Sequence, residues 1–106
     1  VLTDLVALDD AAFRALFTKS PVKRTGRGRF VRNVLVAMGN AQMPDYIPYL
    51  EARLSDNEPL VRGMAVWALG QYLDGSEMRA RANEALLLET DQGVRTEWGR
   101  FIDERV

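Results

Sequence analysis

Asp56-Asn57-Glu58-Pro59-Leu60-Val61-Arg62, followed by Gly63-Met64-Ala65-Val66-Trp67-Ala68-Leu69-Gly70, reads as a helix that almost no water reaches. Spaced at about 100° per residue, Leu60, Val61, Met64, Ala65, Val66, Trp67, Ala68, Leu69 and Tyr72 cover nearly its whole circumference. A helix that is apolar all round belongs in the middle of a stack, so Trp67 is read as core. Gly63 and Gly70 share one narrow face, where a missing Cβ lets a neighbouring helix come close.

The pattern recurs to either side. Phe30-Val31-Arg32 with Ala37-Met38-Gly39 precedes Leu60-Val61-Arg62 with Ala68-Leu69-Gly70 by 30 residues. Val94-Arg95 opens a third, more degenerate copy 33 residues later, with Trp98, Phe101 and Ile102 on one face. Periods of this size mean stacked helical pairs, and the stretch from Asp56 to Gly70 resembles a HEAT-like repeat unit. Asp9, Asp45, Asn57, Ser76 and Asp91 each stand where an N-cap precedes an amphipathic run. A further helix spans Gly26 to Met38 and stops at a left-handed Gly39-Asn40, and a short turn occupies Thr3 to Ala7. Pro48 falls in the first turn after Asp45, where its missing N–H has no intrahelical partner. No alternating run is bounded by hairpin turns, so no strand is expected. The expected fold is all-α: a HEAT-like α-α superhelix of about six helices stacked in antiparallel pairs, forming a single domain over residues 1–106. Its last helix caps the stack, with Val94, Trp98, Phe101 and Ile102 inward and Arg95, Glu97, Arg100 and Glu104 outward.

With 47% hydrophobic and 27% charged residues, the chain has the composition of a soluble globular protein, and 106 residues suffice for one core. No apolar run approaches the roughly 20 residues that cross a bilayer, and no secretory signal opens the chain. A cytoplasmic protein without a membrane partner is expected. Cys and His are absent, which excludes disulfides, thiolate nucleophiles, imidazole bases, and Cys/His zinc or iron–sulfur sites. Asp9, Asp10, Asp103 and Glu104 sit at helix ends or on polar faces, where capping rather than catalysis is their role. No catalytic residue and no metal ligand is assigned, and the start at Val1 without Met reads as that of a piece of a larger protein.

The formal net charge is −1, yet it is unevenly distributed. From Ala11 through Pro44 there is no acid and there are seven bases: Arg14, Lys19, Lys23, Arg24, Arg27, Arg29 and Arg32. The remaining segments carry seven bases against fifteen acids, a net of minus eight. Such polarity is the footprint of a polyanion partner. Ser20-Pro21-Val22-Lys23-Arg24-Thr25-Gly26-Arg27-Gly28-Arg29 joins two helices, so the loop's Lys and Arg and the following helix N-terminus are placed to grip phosphate jointly. On that helix Arg29, Arg32 and Asn33 lie opposite the apolar arc of Phe30, Val31, Val34 and Leu35. Gly26 and Gly28 do not make a nucleotide fingerprint, since no strand precedes them. The candidate RNA-binding residues are Lys23, Arg24, Arg27, Arg29, Arg32 and Asn33. Arg32 has two readings: it faces RNA, or, as the first of three Val-Arg positions, it pairs with an acid of the next repeat. The rival to RNA binding is a HEAT-like protein–protein interaction scaffold.

Ala12-Phe13-Arg14-Ala15-Leu16-Phe17, then Ser20-Pro21-Val22-Lys23-Arg24, then Arg29-Phe30-Val31-Arg32-Asn33-Val34 and Ala37-Met38-Gly39-Asn40, together resemble the C-terminal region of epoxyqueuosine reductases. Leu60-Val61-Arg62-Gly63 and Ala65-Val66-Trp67-Ala68-Leu69 are similar to the repeat that ends those proteins. The resemblance runs from about residue 12 to residue 73, and no motif is identified from Asp74 onward. It implies a parent oxidoreductase of queuosine biosynthesis, with a cobalamin-binding catalytic region and a ferredoxin-like part holding two [4Fe–4S] clusters, both N-terminal to this chain. No cofactor is implied for the chain itself. It also implies that Lys23, Arg24, Arg29, Arg32 and Asn33 belong to the side facing the tRNA anticodon arm or the adjoining catalytic region.

Overall fold

The structure is a computed structural model and describes residues 1–19 and 26–102. Among these lie seven α-helices and one 3-10 turn, with no strand: α1 (Leu2–Val6), α2 (Asp10–Leu16), α3 (Arg27–Asn40), the turn Pro44–Tyr46, α4 (Ile47–Arg53), α5 (Pro59–Gly70), α6 (Gly75–Ala85) and α7 (Gln92–Gly99). The expected turn near Thr3 is the full helix α1, which raises the helix count above six.

α5 is the central helix, packing on α3, α7 and α4, while α1 and α2 back α3, and α6 backs α7. Val61, Ala65, Val66, Ala68 and Leu69 of α5 are buried together with Val31, Leu35 and Met38 of α3, Leu50 of α4, Met78 of α6, and Val94 and Trp98 of α7. The second helices of successive repeats run parallel. Gly28 near the start of α3 lies against Glu58 at the start of α5, and Gly39 near its end lies against Trp67 and Ala68 near the end of α5. Likewise Gly63 of α5 faces Val94 and Glu97 of α7, while Gly70 meets Phe101 just beyond α7. A ring cluster of Phe13, Phe17 and Phe30, with centroids 5.0 to 5.5 Å apart, fastens α2 to α3.

Two expected caps form as read: the Asp9 carboxylate accepts from the Ala12 N–H at 2.8 Å, and Asp91 from the Val94 N–H at 3.0 Å. Three do not. Asp74, rather than Ser76, caps α6, accepting from the Glu77 N–H and the Ser76 hydroxyl at 2.9 Å each, and the backbone bond followed by the hydroxyl bond holds its pKa below the ordinary aspartate value. Asn57 is displaced because Pro59 opens α5 and the Asp56 carboxylate takes the Glu58 N–H. Asp45 sits inside the 3-10 turn, and α4 starts after it with Pro48 in its first turn. α3 does end at Asn40, but Gly39 and Asn40 stay right-handed inside it with Ala41 as the C-cap, and the positive φ beyond that end is at Gln42, at 56°. Gly39 serves close packing instead of chain reversal: a Cβ there would lie 2.5 Å from Trp67 Cζ3 and 3.2 Å from Ala68 Cα.

Candidate nucleic-acid interface

The basic residues of the N-terminal third do not share one fate. Arg27 is folded inward, 7% exposed, with a guanidinium that donates to both oxygens of Asp56 at 2.7 and 2.6 Å. It also reaches Glu58 at 3.2 Å and the Leu8 carbonyl at 2.7 Å. The expectation that Arg27 faces RNA is therefore corrected: every side of its fork is occupied by protein, and it ties α3 to the α4–α5 connection and to the chain after α1. Hydrogen bonding to Asp56 raises its pKa above the ordinary arginine value, against the opposing effect of burial. Burial disfavours the charge on Asp56, but the Arg27 hydrogen bond, the Glu58 N–H, and the charges of Arg27 and Arg53 outweigh it and lower the pKa. The start of α3 is likewise not open to phosphate on this side, since the Glu58 carboxylate packs onto Gly28.

Analogous structural work is done in the next repeat by Arg62, which grips Glu89 through two bonds of 2.9 Å and donates to the Asp56 and Asn57 carbonyls. The Arg62 hydrogen bond is the main reason the Glu89 pKa is lowered. Arg95, expected outward, is half-buried and donates to the carbonyls of Leu86 and Glu89. Arg32 meets no such acid among the described residues. The pairing role open to it in the sequence belongs to Arg27, which the Val-Arg alignment did not single out. One spacing signal was present: Asp56 to Arg62 and Glu89 to Arg95 are both six residues apart, so acid and arginine recur with a 33-residue period.

What remains for a partner is the outer face of α3. Arg29 and Asn33 are exposed, Arg32 is half-buried, and neither arginine makes an ion pair or donates a hydrogen bond among the described residues. The helix carries no acid. Lys23 and Arg24 lie outside the described residues. Arg14 is spoken for by an exposed pair with Asp10 at 3.1 Å, and Lys19 is exposed.

Beside Arg32 opens a groove of about 530 Å³ between α3, α5 and α7, walled by Val36, Leu60, Met64 and Trp67 and closed on the α7 side by Glu97 and Arg100. Trp67, read as core, is thus only half-buried. Its signal was weak in sequence because a helix wheel cannot show how far neighbouring helices part. No group of three or more His, Cys, Asp or Glu placed to hold a metal occurs among the described residues.

A family model described as HEAT repeats matches residues 29–99. Over 72 residues the chain is 40% identical to an epoxyqueuosine reductase of Xanthomonas campestris pv. campestris, covering 67% of this chain and 20% of that protein. Over 78 residues it is 35% identical to an epoxyqueuosine reductase of Alicycliphilus denitrificans, covering 66% of this chain and 22% of that protein. The chain therefore spans about a fifth of the length of the curated relatives it matches. Two crystal structures match 96% of this chain and 27% of theirs at 25% identity: a selenomethionine-labelled epoxyqueuosine reductase, with a TM-score of 0.81, and an epoxyqueuosine reductase with a tRNA-Tyr epoxyqueuosine-modified tRNA stem loop, with a TM-score of 0.82.

Proposed function

The chain belongs to the HEAT-repeat family, and on that footing we propose that it is the accessory RNA-holding domain of an epoxyqueuosine-reductase-like protein, presenting the outer face of α3 to the tRNA anticodon arm. The observation that carries the reading is the division among the arginines: Arg27 is consumed by Asp56, while Arg29 and Arg32, with Asn33, stand on an acid-free helix without an ion-pair partner among the described residues. Lys23 and Arg24, outside the described residues, enter this reading only as the basic stretch that precedes α3 in the sequence. The similarity to an enzyme solved with a tRNA stem loop supports the choice of polyanion.

In this reading the domain orients RNA and the rest of the parent supplies the redox chemistry, in the cytoplasm. The two [4Fe–4S] clusters implied by resemblance do not fit these residues, which offer no Cys, and the resemblance puts the cobalamin in the parent's catalytic region. The test is fluorescence anisotropy with a labelled anticodon stem-loop. Arg29→Glu with Arg32→Glu is expected to weaken binding by about tenfold or more through lost phosphate neutralisation. Arg79→Glu on the exposed face of α6 is expected to change it little. Equal losses from both would reduce the effect to diffuse attraction, and no loss from either would return the chain to the protein-scaffold reading.

A further inference from the structure

The groove beside Arg32 has the chemistry of a base-binding slot. Its size, about 530 Å³, lies within the range of small-molecule sites. The benzenoid edge of Trp67, Cζ3 and Cε3, rests against Gly39, so the pyrrole N–H lies at the opposite side of the ring. That N–H donates to nothing among the described residues, and the half-buried ring lines the groove. Leu60 is 43% exposed, and with Met64 it extends the apolar wall. Gly63 leaves the floor low: even a Cβ there would find its nearest neighbours, Glu97 Cγ and Val94 Cγ2, at 3.8 and 3.9 Å.

The charges favour nucleic acid over an apolar peptide. Among the described residues Glu97 pairs with Arg100 at 3.2 Å, which leaves the Arg32 guanidinium as the unbalanced charge lining the groove, with Arg29 on the same helix. An aromatic wall beside unpaired arginine is how proteins take bases out of a single strand, stacking on the ring and neutralising the flanking phosphate. We propose that this groove accepts one unstacked base of the RNA held on α3, with Trp67 as the stacking partner and Arg32 on the adjoining phosphate. The inference rests on the RNA reading of α3 and adds to it: the surface distinguishes an unpaired loop from a duplex of equal charge.

The test titrates the 106-residue chain with two hairpins of identical stem and backbone charge, one with an ordinary loop and one with abasic sugars throughout the loop. The intact loop is expected to bind about tenfold more tightly than the abasic one. It is also expected to quench Trp67 fluorescence over the background of Trp98, which is 4% exposed. Trp67→Tyr should keep the preference, Trp67→Ala should abolish it, and Arg29→Ala should weaken both hairpins alike. Because the abasic comparison needs no variant, it stands even where Trp67→Ala fails to fold. Equal affinities with unchanged fluorescence overturn the base slot and leave the α3 reading intact. Binding of neither hairpin overturns both and leaves the groove to a protein side chain.

Discussion

Replacing Asp56 by Ala strips the Arg27 guanidinium of two of its three shortest bonds, those of 2.6 and 2.7 Å to the carboxylate, in a pair whose side chains are 7% and 5% exposed. Breaking a buried pair from one side costs about 3–5 kcal/mol, because the surviving charge stays buried without compensation. Here Glu58 still reaches Arg27 at 3.2 Å from a side chain 44% exposed, returning up to about 1 kcal/mol. The Glu58 N–H loses its acceptor, a loss of about 1 kcal/mol in the other direction. The two adjustments roughly cancel, so the net expectation stays at about 3–5 kcal/mol, a large part of the 5–15 kcal/mol that holds a domain of this size together. Urea denaturation followed by circular dichroism measures it, with Arg32→Ala as the control. That arginine has no partner among the described residues, so its removal should stay within about 0.5 kcal/mol of the unchanged chain. A loss below about 1 kcal/mol for Asp56→Ala, or an equal loss for Arg32→Ala, would refute the assignment of structural and free arginines.

Gly39→Ala should destabilise by about 1–3 kcal/mol through overpacking against Trp67 and the Ala68 backbone, whereas Gly63→Ala, with 3.8 Å of clearance, should gain up to about 1 kcal/mol of helix propensity; thermal melts of the two compare them. Because the folded-state pKa of Asp56 is depressed, the stability it lends is complete above about pH 4 and lost as pH falls through the lowered folded value. Glu89 acts with the same sign, so urea midpoints should drop on acidification below pH 4 and the drop should shrink in Asp56→Asn. Exhaustive chelation should leave the helical circular dichroism spectrum unchanged, and unfolding on metal removal would show that the apolar core does not suffice.

Local signals were legible where the physics is local. Asp9 and Asp91 cap as read because an N-cap depends only on the next three residues. Ser76 was misplaced because Asp74 offers the same chemistry one half-turn earlier and its carboxylate accepts from both Glu77 and Ser76. Gly39-Asn40 looked like a stop signal because glycine serves two purposes, left-handed turns and close approach, and only the position of Trp67 tells which. The same limit governed the candidate site. Charge polarity placed the bases on one third of the chain, but the acid that claims Arg27 lies 29 residues away, outside any local window. The groove was hidden because it depends on how far α3, α5 and α7 part above Gly63.

The central claim is that unpaired arginines on α3 neutralise RNA phosphates, and the salt dependence of anticodon stem-loop binding measures that number directly. With about three to five phosphates engaged at 0.7 to 0.9 each, log K against log salt should fall with a slope of roughly −2 to −4. Replacing Arg29 and Arg32 together by Ala should make the slope shallower by about 1.4 to 1.8. The same replacement of Arg27 should leave the slope of the folded fraction unchanged, since its charge is already met by Asp56. A slope near zero, or one that Arg29 and Arg32 do not alter, would contradict the account.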